Sequence, residues 1–378
     1  MFCALDRFTG KELWKVNTRA PGFPEHHGAN IFNASAIFAD GKVIVGGGGY
    51  EHPQPLDPNY PCCTGRGFVV AFDPATADVV WKYEVGEKPR RYERPIEIND
   101  AKGKRTYLYG PSTSSVWSTP SYDKASGMIF FGTDVHNSPR EPTPDDPRLF
   151  TKYSAAVIAV DVKTGKELWR TKRDELPSWG TPTVWPGKQP ELITNGSKFI
   201  RGYNPETGKE LWRLGGSSKI TTPTPVFAGD RIIVASGRHP ERPIFCLRPG
   251  GRGDLTGGKH VAWQNRRGPY MPTPLIYRGK VYALNNSGLF GCFDLKTGAE
   301  HFYERLRHRG NGFSASPVAT DGKIYCAGED GVVFVIEASG KFKLLAEHPI
   351  GEPLMATPAL SDGVMYLRGT RHLFAVGK

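Results

Sequence analysis

Apolar residues in this chain fall in short runs separated by Gly, Asp, Asn and Pro, and one arrangement of them recurs from end to end. An apolar run leads to Asp or Asn, a turn closes on Thr-Gly, and a second run ends in a large ring. The clear copies are CALDRFTGKELW (Cys3 to Trp14), VIAVDVKTGKELW (Val157 to Trp169) and IRGYNPETGKELW (Ile200 to Trp212). A looser copy ends at Trp81, with Ala77 in place of the glycine, and weaker ones end at Trp263, Phe302 and Leu344, where another apolar residue stands in for Trp in the last two. Two strand-like runs joined by a tight turn whose glycine takes positive φ predict a β-hairpin. The terminal ring is expected to pack between neighbouring sheets.

Ahead of the hairpins stands a second phrase, a hydroxyl residue before proline, then an apolar run, a turn and another apolar run. Examples are Ser118-Thr119-Pro120, Gly180-Thr181-Pro182, Pro223-Thr224-Pro225, Pro272-Thr273-Pro274, Ala315-Ser316-Pro317 and Ala356-Thr357-Pro358. Each repeat therefore supplies four strands. Successive hairpin ends lie 67, 88, 43, 51, 39 and 42 residues apart, so a basal unit carries long insertions in its early copies, at about 46–68, 87–111 and 136–153. Four strands in roughly 40 residues predict an all-β fold, a β-propeller of four-stranded blades forming one domain over 1–378. Three strands' worth of chain follows Leu344, and Phe2 to Val16 can complete that sheet and cover its edge. The expectation is seven blades with N- and C-terminal closure; the competing count is an incomplete eight.

Composition adds exclusions. With 45 Gly and 32 Pro in 378 residues the composition points away from a helical bundle. No run approaches the ~20 apolar residues that cross a bilayer, so no transmembrane segment is expected, and no signal peptide pattern follows Met1. An excess of 49 Lys and Arg over 38 Asp and Glu gives +11, which favours anionic partners. The densest basic stretches, Lys88 to Arg94 and Arg305 to Arg309, lack an aromatic nucleic-acid signature and read mainly as solvated loop charge, so no nucleic acid partner is expected. Cys3, Cys246, Cys292 and Cys326 lie singly in apolar runs and read as buried thiols, whereas Cys62 and Cys63 are adjacent. Adjacent Cα atoms sit about 3.8 Å apart across a trans peptide, below the usual disulfide range, so a bond between these cysteines would be strained; the other reading is two unpaired thiols in a loop. His26, His27 and His52 lack transition-metal spacing, and Gly46 to Gly49 lacks a phosphate-loop context.

The phrase apolar-Asp-x-x-Thr-Gly-Lys-x-x-Trp resembles the repeat of the pyrroloquinoline quinone (PQQ) family of β-propellers over nearly the whole chain, and residues Glu25 to Trp169 resemble polyvinyl-alcohol-dehydrogenase-type quinoproteins. The resemblance implies PQQ and Ca²⁺ as cofactors. Cys62, Cys63 and Trp117 would sandwich the quinone, Arg66 and Ser115 would hold its polar edge, and Asp134 or Asn137 would serve the ion. For Trp117 the other reading is core packing, as for Trp179. An active form would oxidise a small or polymeric alcohol and pass electrons to a separate acceptor, because no haem-attachment motif occurs. No catalytic base is assigned: Ser178 stands near the expected carboxylate and cannot accept the proton unaided, and Asp174 and Glu175 are close only in sequence. The family also includes non-catalytic members such as the outer-membrane assembly lipoprotein, so the rival expectation is an envelope binding or scaffold protein with a protein partner. Either role implies a periplasmic or secreted native form.

Overall fold

The computed structural model describes residues 2–17, 30–49, 51, 60, 62–100, 103–111, 114–134, 153–176, 178–310 and 312–377. Among them every regular element is a strand. A hairpin of β1 (Phe2–Leu5) and β2 (Glu12–Val16) comes first. β3 (Asn30–Phe32), β4 (Ile37–Ala39), β5 (Lys42–Gly49), β6 (Phe68–Phe72) and β7 (Val79–Glu84) form a sheet in which β3 and β4 both pair with β5. A separate hairpin, β8 (Arg90–Asp100) and β9 (Gly103–Gly110), occupies the insertion expected at about 87–111. Antiparallel meanders follow: β10 (Ser121–Asp123), β11 (Met128–Gly132), β12 (Ala156–Asp161) and β13 (Glu167–Lys172), then β14 (Thr183–Trp185), β15 (Glu191–Thr194), β16 (Ile200–Tyr203) and β17 (Glu210–Leu214). β18 (Val226–Ala228), β19 (Arg231–Ala235) and β20 (Ile244–Leu247) are completed by β22 (Val261–Asn265), while the intervening β21 (Gly253–Asp254) adds in parallel to β17. β23 (Leu275–Tyr277), β24 (Lys280–Leu284), β25 (Leu289–Asp294) and β26 (Glu300–Arg305) form one more meander. β27 (Val318–Thr320), β28 (Lys323–Ala327), β29 (Val332–Glu337) and β30 (Leu344–Pro349) form the next, and β31 (Ala359–Ser361), β32 (Val364–Arg368) and β33 (Leu373–Val376) a three-stranded sheet. The architecture is all-β with seven blades, the three-stranded sheet being the seventh. β1 pairs with β2 within its own hairpin. Contacts group the chain into two compact units, Met1–Pro177 with Asn204–Lys209, and Ser178–Tyr203 with Glu210–Lys378.

The apolar runs are continuous because sheets stack on both faces of the middle strands. In β19, Ile232 and Val234 pack with Ile193, Ile200 and Trp212, whereas Ile233 packs with Trp263, Val281 and Phe293. Successive side chains point to opposite faces, so a strand sandwiched between two sheets needs apolar residues at every position.

The hairpin phrase resolves into separate contacts. The Asp161 carboxylate accepts from the Lys163 and Thr164 amides and the Thr164 hydroxyl, and Asp6 and Asp294 repeat the pattern. Such turns are a normal use of Asp, and Asn204 makes the same two amide contacts without charge. In the hairpins that hold the five tryptophans and Phe302, the ring stands opposite a small residue, Ala4, Ala71, Ala159, Gly202, Cys246 or Cys292, and the register slips there, so that the residue before the ring bulges. Trp indoles then reach the next sheet. Trp14 donates to the Pro74 carbonyl (2.8 Å), Trp81 to Val162 (2.9 Å), Trp169 to Pro205 (2.8 Å) and Trp263 to Leu295 (3.0 Å). The Thr-Gly glycine of that next turn lies under the ring: a Cβ added at Gly165 would fall 2.5 Å from Trp81, and one at Gly298 2.6 Å from Trp263. Glycine is thus required for close approach as well as for positive φ.

Three expectations need correction. In the last hairpin, register places Ala346 opposite Val335, in the Trp position, while Leu344 pairs with Ile336; the ring is replaced by a methyl group. Trp212 does not reach the following turn, because the insertion bearing β21 intervenes, and its indole donates to the fully buried carboxylate of Glu191 (2.9 Å). Cys3 is exposed at the terminal hairpin, whereas Cys246, Cys292 and Cys326 are buried as expected. Burial pushes the Cys246 thiol up to about 12 and Cys292 to about 11.

The second phrase also has a physical basis. In the second unit the Thr181 amide donates to the Thr224 hydroxyl (3.2 Å), Thr224 to Thr273 (3.1 Å), Thr273 to Ser316 (2.9 Å) and Ser316 to Thr357 (3.0 Å). The hydroxyl before each proline accepts from the preceding sheet, linking consecutive repeats in one line.

Candidate functional site

The residues singled out in the early repeats gather around the end of β5. Its glycine run, Gly46 to Gly49, lets other backbone approach: a Cβ at Gly46 would fall 2.7 Å from Val116, and one at Gly47 2.5 Å from the Ile31 carbonyl. The Val116 amide donates to Gly47 (3.2 Å), the Ser115 hydroxyl to the Gly49 carbonyl (3.0 Å), and the Asp134 amide to Ser115 (3.0 Å). Ser115 is consequently buried, while Trp117 and Asp134 are half-buried.

Cys62 and Cys63 are joined as a disulfide across a cis peptide bond, and neither has any exposed surface. They pack with Tyr92, Ile96 and Tyr107 of the β8–β9 hairpin. Backbone bonds fix the contact, with the Cys63 amide donating to Tyr109 (3.0 Å) and the Tyr109 amide donating to Cys62 (2.9 Å). The insertion at 87–111 therefore covers the disulfide. Arg66 donates to the Glu84 carboxylate and the Gly86 carbonyl. Glu51, fully buried, accepts from Tyr60 Oη (3.1 Å) and the amides of Thr64 (3.2 Å) and Gly65 (2.7 Å). Burial and the Glu51 charge raise the Tyr60 phenol above its ordinary range.

The loop of Cys62, Cys63 and Arg66 and the Ser115–Trp117 segment thus border the same strand, and Asp134 is tied to Ser115 through backbone. Asn137, His26, His27 and His52 lie outside the described residues. Glu175 is buried, Asp174 is exposed, and Ser178 is half-buried in the second unit. Among the described residues no three His, Cys, Asp or Glu side chains cluster. Glu51 and Glu84, which organise the loop, are not among the candidates read from sequence; the usable signal was a lone carboxylate shortly after a glycine run.

A quinone stacked on the disulfide needs an accessible sulfur face, and both cysteines are enclosed by the tyrosines of β8 and β9. The hydroxyl of Ser115 and the guanidinium of Arg66 already serve Gly49, Glu84 and Gly86. As arranged, these residues do not fit PQQ.

A family model described as outer membrane protein assembly factor BamB matches residues 107–341, and one described as glucose/ethanol/alcohol dehydrogenase, beta-propeller domain matches residues 20–173. The chain belongs to the PQQ-like β-propeller family. A polyvinylalcohol dehydrogenase of Sphingopyxis sp. (strain 113P3) is 33% identical over 167 residues, 44% of this chain and 22% of that protein. The chain thus matches between about a fifth and a third of the length of such curated relatives. Among solved structures, BamB from Moraxella catarrhalis superposes with a TM-score of 0.62 at 12% identity, covering 98% of this chain and 89% of that one. Quinohemoprotein alcohol dehydrogenase from Comamonas testosteroni gives 0.51 at 16%, covering 97% of this chain and 59% of that one. These structural likenesses concern the fold alone.

Proposed function

We propose that this chain is a non-catalytic binding propeller of the cell envelope, in which stacked sheets present their connecting loops to a protein partner. The observation that carries this reading is the engagement of the quinone-site counterparts in internal contacts: Cys62 and Cys63 under Tyr92 and Tyr107, Arg66 on Glu84, Ser115 on Gly49. The match to the model described as outer membrane protein assembly factor BamB supports an envelope setting and a protein partner.

A second reading, a PQQ- and Ca²⁺-dependent alcohol dehydrogenase, is favoured by the Cys62–Cys63 disulfide and the likeness to polyvinylalcohol dehydrogenase. In that reading Cys62, Cys63 and Trp117 flank the ring, Arg66 and Ser115 hold its edge, and Asp134 or Asn137 serves the ion. Adding PQQ and Ca²⁺ to the purified chain and removing free quinone by gel filtration separates the two. The binding reading predicts no quinone absorbance in the protein fraction. Retained absorbance that is lost in Trp117→Ala establishes the dehydrogenase-type site instead.

A further inference from the structure

A second loop cluster, independent of the disulfide site, lies within the second unit. Gly237, Arg238, His239 and Arg242, from the connection after β19, line a cavity of about 280 Å³ together with Tyr270, Asn286 and Ser287. No Asp or Glu lines it. Arg238 stands over the Tyr270 ring at 5.8 Å, and among the described residues neither Arg238 nor Arg242 has a carboxylate within ion-pair reach. Arg305 extends the positive field, donating to the Ser287 carbonyl at 2.7 Å, with His308 Nε2 at 3.3 Å from the same oxygen.

The walls are fixed by backbone. Gly237 donates to the Pro269 carbonyl (2.8 Å), Gly268 to Arg242 (2.9 Å) and Ser236 to Pro243 (3.0 Å). A Cβ at Gly268 would strike the Pro243 carbonyl, so the two loops meet at van der Waals limit. Arg242 is held at φ 46°, a left-handed conformation that a long side chain rarely adopts. Asn286 is held too, donating to Phe313 (2.9 Å) and accepting from the Met271 amide (3.1 Å). Guanidinium groups without counter-ions on a rigid concave wall are suited to oxyanions that accept paired hydrogen bonds, because little ordering cost remains at binding.

We propose that this pocket binds a small multivalent oxyanion, a phosphate or a polycarboxylate, through Arg238 and Arg242. The test is isothermal titration of the full chain with inorganic phosphate and, separately, citrate, at constant ionic strength set with sodium chloride. Saturable binding is expected for at least one; preference for phosphate assigns a phosphate-bearing ligand, and preference for citrate a carboxylate-bearing one. Arg238→Gln and Arg242→Gln should each weaken it about tenfold or more, whereas Arg248→Gln, whose guanidinium serves the Lys259 carbonyl elsewhere, should leave it unchanged. The exposed Arg238 side chain keeps the test open if Arg242→Gln fails to fold. Absence of saturable binding of both anions, or equal weakening by Arg248→Gln, overturns the proposal.

Discussion

The two compact units solve the same packing problem with different emphasis. In the first, successive hairpins are joined by an indole laid on the next turn, Trp14 onto Pro74, Trp81 onto Val162 and Trp169 onto Pro205. In the second the ring weakens along the chain, through Trp263 and Phe302 to Ala346, while an unbroken line of hydroxyls from Thr224 to Thr357 ties repeat to repeat. Large apolar contacts therefore carry the early repeats and small polar ones accompany the later repeats. The motif is thus a set of separable contacts, each of which a repeat can lose when another is present.

Substitutions on either side test that contrast. Trp81→Ala removes a buried ring, its bond to Val162 and its cover over Gly165, and should cost about 3–5 kcal/mol in urea unfolding. Trp14→Ala, at a more exposed ring, should cost distinctly less. Equal losses would show that the ring acts independently of burial. Thr273→Val preserves shape but leaves the Thr224 amide without its acceptor, for an expected loss of about 1–2 kcal/mol by the same measurement. A neutral result would show that the hydroxyl line contributes nothing to stability.

The smallest effect is electrostatic. The Thr164 hydroxyl and amide hold the Asp161 carboxyl below its ordinary range. A depressed folded-state value contributes stability that is present above the unfolded value, about 4, and is lost as pH falls through the folded one. Asp161→Asn, which copies the uncharged turn already present at Asn204, should show a smaller drop in Tm between pH 7 and pH 3 than the parent chain. An unchanged drop would mean that this turn carries no acid sensitivity. Glu352 has the same sign: His372 and the Arg371 amide lower it to about 2, so its contribution falls away between about pH 4 and pH 2.

Strands and hairpins were legible because their signals are local: Asp with Thr-Gly sets the turn, and the apolar runs mark strands covered on both faces. The proline phrase marked strand starts but gave no hint that its hydroxyl accepts from an amide of the preceding repeat, since the partner lies about 40 residues away, as in the bond from the Thr273 amide to the Ser316 hydroxyl. Residue spacing alone places Leu344 at the ring position; the turn here is one residue longer, Ile336 pairing with Leu344 where Val160 pairs with Glu167, and after the shared bulge Ala346 stands there. At the disulfide site the residue types were visible, but their partners were not. Nothing local connects Arg66 to Glu84, or Cys62 to Tyr107 across the intervening chain. The Arg238–Arg242 loop has no sequence signature because its charges are not consecutive, and the wall they share with Tyr270 and Asn286 forms only when Gly237 and Gly268 bring two loops together.

The Cys62–Cys63 disulfide packs with Tyr92, Ile96 and Tyr107 of β8 and β9, and the proposed function takes it as a packing element rather than a ligand-facing surface. Urea unfolding of the Cys62→Ala/Cys63→Ala double variant, without added quinone, tests it directly. The packing role predicts a loss of about 2–4 kcal/mol as the cluster with Tyr92, Ile96 and Tyr107 is hollowed. Stability equal to that of the parent chain would contradict it.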